Sequence, residues 1–171
     1  CLETARSTTG SVLTFGGSVI DWSSKRQLTV ALSTCEAEYM AVAAAMQSIF
    51  WFQSLLGEIG FTEESDASAA SALDSARPHR LPSTRSLLHT ATPHLFNDNR
   101  SALALAAHTV HHSRTKHIHI KYHFVREAVA AQKVHLDWCS TRDQLADVLT
   151  KALPTVLYTW IRDVLVYARD S

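Results

Sequence analysis

The sequence predicts an α/β or α+β domain with a mixed sheet flanked by helices, and three observations support that class. A glycine pair separates two short strand-like runs near the start, a long helical stretch follows, and the second half alternates strand-like with helix-like segments. With 171 residues, 46% of them hydrophobic, the chain can bury the core of one domain but is too short to expect two. We therefore expect a single domain over residues 1–171.

The opening segment predicts a β-hairpin. Residues 11–15 and 18–22 read as two strands across Gly16 and Gly17, because glycine accepts the positive φ that tight hairpin turns require. A second extended stretch is expected over residues 28–31.

A long helix is expected next. Ser33 is followed three residues later by Glu36, which is the spacing of a capping box, so Ser33 is the expected N-cap of a helix from Thr34 to about Gly57. Residues 62–93 then become rich in Ser, Ala and Thr with three prolines and no sustained period, which predicts a disordered insertion loop within the domain.

Periodic structure resumes after this insertion. The spacing of apolar residues and caps predicts a strand at 94–96, a helix at 101–107, a helix at 116–131, a half-buried strand at 134–138, a helix at 141–152 that Pro154 stops, and a last helix at 156–167.

Glu38 is the most informative residue of the predicted long helix. At about 100° per residue it aligns with a largely apolar stripe, whereas Glu36 falls on the opposite, polar face and is expected to be structural. A carboxylate at the edge of a core is costly unless a cation or hydrogen-bond donors meet it. Glu38 is therefore a candidate metal ligand or acid/base group, and the alternative is a glutamate at the rim that turns out to water.

Two further carboxylates stand where sites often form. Asp98 directly follows a predicted strand, and ligands commonly bind at strand ends in α/β sheets. The alternative is that Asp98 or Asn99 simply caps the next helix. Asp147 shares the polar face of its predicted helix with Asp143 and Lys151, so periodicity alone makes it an ordinary solvent-facing carboxylate. Spacing does not show whether Glu38, Asp98 and Asp147 meet.

Charge is balanced overall but uneven along the chain. The formal net charge is zero, yet residues 99–126 contain five Lys or Arg residues and no Asp or Glu, which suits a polyanion or, alternatively, a solvated helix face. His119 and His123 have a spacing that can bind zinc, with His111, His112 and His117 nearby, although surface histidines on a basic face are the favoured interpretation.

The cysteines and the hydropathy pattern argue against a disulfide-rich protein, a cysteine zinc protein and a membrane protein. Cys1, Cys35 and Cys139 are far apart and without C-x-x-C spacing, so we expect neither a disulfide framework nor a cysteine zinc site, and a reducing, intracellular setting. The sequence contains no run of 18 apolar residues and no signal-peptide pattern, so no membrane association is expected. The start at Cys1 suggests a processed or truncated N-terminus.

Seven motifs in order identify a family resemblance. The chain closely resembles the ribonuclease H domain of copia-type LTR retrotransposon Pol polyproteins outside residues 62–93, through Ser7-Thr8-Thr9-Gly10, Trp22-Ser23-Ser24-Lys25-Arg26-Gln27, Ser33-Thr34-Cys35-Glu36-Ala37-Glu38-Tyr39, Asp98-Asn99-Arg100-Ser101-Ala102, Ser113-Arg114-Thr115-Lys116-His117-Ile118, Tyr122-His123-Phe124-Val125-Arg126-Glu127 and Asp143-Gln144-Leu145-Ala146-Asp147-Val148-Leu149-Thr150-Lys151.

The resemblance implies a fold, an activity and a site. It implies a ribonuclease H-like sheet and cleavage of the RNA strand of RNA–DNA hybrids by two Mg²⁺ ions, with Mn²⁺ as a substitute, held by Glu38, Asp98 and Asp147. It also implies a reverse transcriptase domain of the same polyprotein as partner, and a location in cytoplasmic virus-like particles or the nucleus. Phosphate contacts are expected from Lys25, Arg26, Arg114, Lys116, Lys121 and Arg126.

One departure from the family bears directly on activity. In similar proteins a first catalytic Asp lies on a central strand just before the position of Cys1, and this chain starts too late to include it. We therefore expect impaired activity in the chain as given. The rival hypothesis is a non-catalytic retroelement remnant that binds nucleic acid or a protein through residues 99–126, with salt-sensitive binding and no cleavage.

Overall fold

The computed structural model describes residues 6–59, 92–107 and 116–166, and within the third range it describes side chains from residue 120 onward. Its elements are β1 (Thr8–Phe15), β2 (Ser18–Arg26), α1 (Thr34–Glu58), β3 (His94–Asn97), α2 (Arg100–Ala107), α3 (Lys116–Ala130), β4 (His135–Trp138), a 3₁₀ helix (Leu145–Leu149) and α4 (Thr155–Val166).

The predicted hairpin is confirmed and is longer than expected. β1 and β2 pair antiparallel from Thr8↔Arg26 to Phe15↔Ser18, and the turn residues Gly16 and Gly17 have φ of 60° and 80°. Positive φ at both positions is the conformation that favours glycine. The expected extended stretch at 28–31 forms no strand and instead contains bends that lead into α1.

The predicted long helix is also confirmed, including its N-cap. The Ser33 hydroxyl accepts a hydrogen bond from the Glu36 amide at 3.1 Å, and Glu36 Oε2 accepts from the Leu32 amide at 2.7 Å. These cap contacts confirm the expected structural role of Glu36, but its side chain is buried and does not lie on an exposed polar face, because reaching back to the preceding backbone carries it into the fold.

The hydrophobic core forms where α1 meets α2, α3 and the second strand pair. Fully buried side chains of this cluster include Tyr39, Met46, Val125 and Val134. By length and composition α1 could also cross a membrane, but a core helix has the same properties and one face of α1 packs into this cluster. The apolar stripe of the sequence therefore serves internal packing.

The sheet differs from the single mixed sheet that we expected. β1 and β2 form one antiparallel pair, and β3 and β4 form a separate parallel pair with register His94↔His135 to Asn97↔Trp138. Both strand orientations are present, and α1 contacts both β1 and β3. Within the described ranges, no strand hydrogen-bonds to the remaining edge of β1 or of β3, so the two pairs are not joined into one sheet.

The helices at 101–107 and 116–131 and the strands at 94–96 and 134–138 are confirmed to within a few residues. The predicted helix at 141–152 is wrong. Residues 141–143 form a turn in which the Ser140 hydroxyl bonds the Asp143 carboxylate at 2.8 Å, and only the short 3₁₀ helix follows. Pro154 contributes the first carbonyl of α4, which accepts from the Tyr158 amide at 2.9 Å.

Most of the expected insertion lies outside the described residues, which resume at Thr92. The Thr92 hydroxyl donates to the Gln132 carbonyl at 3.2 Å, and the Pro93 carbonyl accepts from the His135 amide at 2.9 Å. These contacts place the start of β3 beside β4.

Candidate functional site

Glu38 lies in the second turn of α1, on the side that faces β3. It is half-buried, and its Oε2 accepts a hydrogen bond from Asn97 Nδ2 at 3.3 Å. Burial raises the pKa of the Glu38 carboxyl above its ordinary value, and the nearby carboxylates of Asp98 and Asp147 raise it further. The Asn97 hydrogen bond and the Lys151 ammonium oppose that increase in the pKa. The carboxyl is therefore held at the core edge by a donor and faces two other acids.

Asp98 occupies the junction between β3 and α2. Its Oδ2 accepts from the Thr141 hydroxyl at 2.9 Å, and its backbone carbonyl accepts from Trp138 Nε1 at 3.2 Å. Of the two residues predicted as alternatives to cap α2, Asn99 has that role: Asn99 Oδ1 accepts from the Ala102 amide at 3.0 Å. The Asp98 side chain is consequently not used by the helix N-terminus.

Asn97 connects Glu38 to the segment that follows β3, and sequence reasoning did not identify it. Asn97 is buried. Its Nδ2 donates to Glu38 Oε2, and its Oδ1 accepts from the Asn99 amide at 2.8 Å. The alternation of Leu95 and Asn97 with exposed neighbours along β3 was the available signal, since a polar residue at a buried strand position requires partners.

Asp147 lies in the 3₁₀ helix and is buried, with only 9% of its surface exposed. The interpretation of Asp147 as a solvent-facing carboxylate is wrong, because it assumed the turn angle of an α-helix. Lys151 Nζ lies 2.8 Å from Asp147 Oδ2. Lys151 is therefore the counterion of this buried oxygen.

Contacts with the hairpin hold the 3₁₀ helix in place. The Ser24 hydroxyl donates to the Leu149 carbonyl at 2.6 Å. A Cβ on Gly10 would lie 2.8 Å from the Ala146 carbonyl oxygen and 2.5 Å from Thr150 Cγ2. Gly10 therefore permits the close approach of the segment that carries Asp147, which explains a glycine inside a strand.

Cys139 is a second residue that sequence reasoning missed. Burial raises the pKa of its thiol to about 11, and the carboxylates of Asp98, Asp143 and Asp147 contribute to that increase. Gln144 Nε2 donates to the sulfur at 3.6 Å. The sequence feature that could have pointed to Cys139 is its position directly after a predicted strand, among several acidic residues. Spacing alone did not show which acids would surround it.

The three predicted acids thus approach one region from three separate elements, but they do not form a closed ligand set. Within the described ranges, no three His, Cys, Asp or Glu side chains are grouped closely enough to hold a metal ion as they stand. Glu38 and Asp147 have different immediate partners, Asn97 and Lys151. What the region offers is a concentration of carboxylates with incomplete neutralisation.

The predicted phosphate-binding residues have different surroundings. Lys25 and Arg26 are exposed at the end of β2, and Lys121 is exposed on α3. Arg126 is directed into the fold instead, with Nε donating to the Leu105 carbonyl at 3.2 Å and Cζ 5.7 Å from the centre of the Tyr122 ring. Arg114 and the side chain of Lys116 lie outside the described residues.

The histidine pair suggested for zinc is only half described. His123 is exposed on α3, whereas the side chains of His117 and His119, and all of His111 and His112, lie outside the described residues.

The amino-acid sequence of the chain is similar to sequences of retroelements. The chain is similar to retrovirus-related Pol polyproteins of plant transposons. It is 33% identical over 153 residues to that of transposon TNT 1-94 from Nicotiana tabacum, covering 90% of this chain and 10% of the relative. It is 37% identical over 152 residues to that of transposon RE2 from Arabidopsis thaliana, covering 89% of this chain and 9% of the relative.

A third relative has the same description. The Pol polyprotein of transposon RE1 from Arabidopsis thaliana is 39% identical over 147 residues, covering 86% of this chain and 8% of the relative. The chain thus spans about a tenth of the length of these relatives. No protein-family model matches the chain. No solved structure matches it either.

Proposed function

We propose that this chain is a ribonuclease H-like domain of a copia-type retroelement Pol polyprotein, which cuts the RNA strand of RNA–DNA hybrids with divalent cations. The similarity to Pol polyproteins over 86% to 90% of the chain supports the retroelement origin. The observation that carries the site is the placement of Glu38, whose carboxyl has a pKa raised by burial and by the Asp98 and Asp147 carboxylates.

The ligand chemistry of these residues suits a hard divalent cation, although binding would require the acids to draw closer together than they stand. Carboxylate oxygens are the ligands that Mg²⁺ and Mn²⁺ prefer, and the buried Asp147 Oδ2 already has one cation, the Lys151 ammonium, 2.8 Å away. Glu38, Asp98 and Asp147 would hold the ions. When bound, two such ions supply an activated water and stabilise the leaving oxygen. A cation would also relieve the repulsion among the acids.

The chain's own residues have distinct tasks in this proposal. Asn97 orients the Glu38 carboxylate, Thr141 and Trp138 fix Asp98 from its side chain and its backbone, and Gly10 lets Asp147 approach the hairpin. The exposed cations Lys25, Arg26 and Lys121 would attract the phosphate backbone, which makes binding fall with salt. The reverse transcriptase domain of the same polyprotein is the proposed partner, in virus-like particles or the nucleus.

Cleavage of a hybrid with labelled RNA tests the proposal. Each protein is incubated with Mg²⁺ and either an RNA–DNA hybrid or the same sequence as duplex DNA. Because the resemblance implies a further aspartate on a strand before Cys1, the 171-residue chain is compared with one preceded by such a strand. The extended protein should cut the RNA strand only in the hybrid, and the chain alone should cut it more slowly.

Glu38→Gln is the decisive variant, and Glu58→Gln, on the exposed end of the same helix, is its matched control. Losing a metal ligand removes several kcal/mol of transition-state stabilisation, so Glu38→Gln should lower the cleavage rate at least about a hundredfold. Glu58→Gln should leave the rate unchanged. Cleavage that persists in Glu38→Gln would refute the assignment.

Metal binding provides a readout that does not depend on cleavage. A cation that binds only the folded chain raises its melting temperature as the cation concentration increases. Mg²⁺ should raise the melting temperature of the wild-type chain and of Glu58→Gln, and should raise that of Glu38→Gln less. Equal shifts in all three proteins would contradict a site that includes Glu38.

The second candidate function is binding without cleavage through the basic segment 99–126. The exposed Lys121 on α3 favours it. It predicts salt-sensitive binding of nucleic acid that a joint Arg114→Glu and Lys116→Glu variant weakens and Glu38→Gln does not. Unchanged binding by the charge-reversed variant would count against this function.

A further inference from the structure

Arg100 and Trp138 form a contact beside Asp98; Trp138 also holds the Asp98 backbone, whereas Arg100 has no task in the proposed ion site. Arg100 begins α2, Trp138 ends β4, and the guanidinium carbon of Arg100 lies 4.3 Å from the centre of the Trp138 ring. Such cation–π pairs hold an arginine in place through attraction to the face of the ring. The pair connects two elements that meet at the candidate site.

The indole ring is fixed in orientation but not buried. Trp138 pairs in register with the buried Asn97, so the strand pattern would place its side chain against the core, yet 47% of its surface is exposed. Its Nε1–H donates to the Asp98 carbonyl at 3.2 Å. A large aromatic side chain held at the surface by a hydrogen bond is poorly explained by core packing alone.

The charge of Arg100 is not neutralised by a neighbouring acid. Over the part of the chain that the structure describes, no carboxylate oxygen forms an ion pair with Arg100, although Asp98 is two residues away. The guanidinium therefore retains donors for an external acceptor. Arg is well suited to this role because its planar N–H groups match phosphate oxygens while its face stacks on an aromatic ring.

A nucleic acid that approaches the three acids meets unfavourable charge, because phosphates and carboxylates repel each other. Arg100 is a fixed cation at the border of this region. An exposed aromatic ring beside it can pack on a base or sugar, and such stacking tolerates any sequence because every base has a π-face. The two side chains together have the chemistry of a nucleotide contact.

We propose that Arg100 and Trp138 form a nucleic-acid contact next to Asp98, in which the guanidinium binds a backbone phosphate and the indole ring packs on the adjoining nucleotide. This inference rests on the proposed function only in taking a nucleic acid as the ligand. The contact positions one strand across the acids from Glu38, Asp98 and Asp147, and it works whether or not a cation is bound.

Binding of a fluorescent RNA–DNA hybrid in EDTA tests the inference, since no metal-dependent cleavage then occurs. Trp138→Leu should weaken hybrid binding by the 171-residue chain about tenfold, and Trp138→Phe, which keeps an aromatic ring, should restore most of the loss. Arg100→Ala should weaken binding about tenfold and reduce the slope of log K against log salt by about 1.

Matched controls separate a local contact from general effects. Trp51 is exposed on α1, and Lys133 is exposed between α3 and β4. Trp51→Leu and Lys133→Ala should leave affinity and salt slope unchanged. Circular dichroism of every variant shows whether it is folded. If Trp138→Leu does not fold, the affinity of Trp138→Phe still tests the contact.

Three outcomes would overturn the inference: no binding of the hybrid at low salt, equal weakening by Trp51→Leu, or an unchanged salt slope in a folded Arg100→Ala protein. Failure of the proposed function gives a different result. A chain that cuts no hybrid in Mg²⁺ but loses affinity in Trp138→Leu and Arg100→Ala would refute the nuclease and support this contact.

Discussion

At the scale of single residues, the character of the site comes from carboxyl groups placed where water is partly excluded. Glu38 has its pKa raised by burial and by two acids, while one amide hydrogen bond and one ammonium act in the opposite direction. Cys139 responds to the same neighbourhood, since burial and three carboxylates raise the pKa of its thiol. The pKa values of Glu38 and Cys139 therefore depend on the neighbouring carboxylates, and they can be measured without any substrate.

Replacement of Glu38 by Gln should stabilise the chain at neutral pH. A carboxyl whose pKa is raised by folding binds protons more tightly in the folded state, so the free energy of unfolding falls as pH rises from the ordinary pKa through the folded one. Glu38→Gln removes this dependence. Urea denaturation should therefore show a gain at about pH 7.5 that shrinks at about pH 4. Glu58→Gln is the control, and a gain that grows on acidification would contradict the argument.

The Cys139 thiol should react slowly with alkylating agents. Only the thiolate reacts, so in a Cys1→Ser, Cys35→Ser background at about pH 8 the rate should be roughly a hundredfold below that of a thiol with the ordinary pKa of 9.0. The rate should rise with pH up to the pKa of about 11. Asp98→Asn should speed the reaction, whereas Asp137→Asn should not. An ordinary rate in the parent protein would show that the thiol does not have these surroundings.

At the scale of elements, the position of the 3₁₀ helix decides where Asp147 lies. The helix is five residues long and is held by contacts with both strands of the hairpin, through the Ser24 hydroxyl and the close approach to the Gly10 backbone. Short 3₁₀ segments have weak internal hydrogen bonding, so such external contacts largely determine their placement.

Gly10→Ala should therefore destabilise the chain by about 1–3 kcal/mol, because the new methyl group would collide with the Ala146 carbonyl and Thr150. Thermal or urea denaturation measures the effect. Gly57→Ala is the matched control, since nothing lies within 4 Å of a Cβ there and alanine favours the helix, by up to about 1 kcal/mol. Equal effects of both substitutions would mean that the hairpin does not contact the 3₁₀ helix closely.

The elements that the sequence predicted well are those with local signals. The Gly16-Gly17 turn and the Ser33 and Glu36 cap act within a few residues, so the turn of the hairpin and the bounds of α1 were predicted well, while the outer ends of β1 and β2 extend three and four residues further than predicted. The 3₁₀ helix was predicted as a longer α-helix because its geometry depends on the hairpin, which is more than a hundred residues away in the chain. Local periodicity contains no information about that contact.

At the scale of the whole molecule, one core joins α1, α2, α3, β3 and β4, and the hairpin packs on α1 through contacts such as Phe15 with Phe52, whose ring centres are 5.4 Å apart. The convergence of Glu38, Asp98 and Asp147 follows from this packing. Residue spacing did not predict it, and only the family resemblance suggested it, because the packing of separate elements is not encoded in any one segment.

Met46→Ala should lower the free energy of unfolding by about 2–5 kcal/mol, because Met46 is fully buried at the centre of this core. The loss should appear equally in far-ultraviolet circular dichroism and in tryptophan fluorescence if the core elements unfold together. Gln47→Ala, on the exposed side of the same helix, should change stability by less than about 0.5 kcal/mol. A small effect of Met46→Ala would indicate that this core is not formed.

The Lys151 ammonium, 2.8 Å from Asp147 Oδ2, acts as a tethered counterion. A divalent cation that ligates this oxygen would have to displace it, so loading would be an ion exchange rather than a simple addition. The displaced lysine would then be left with an unpaired positive charge beside the filled site.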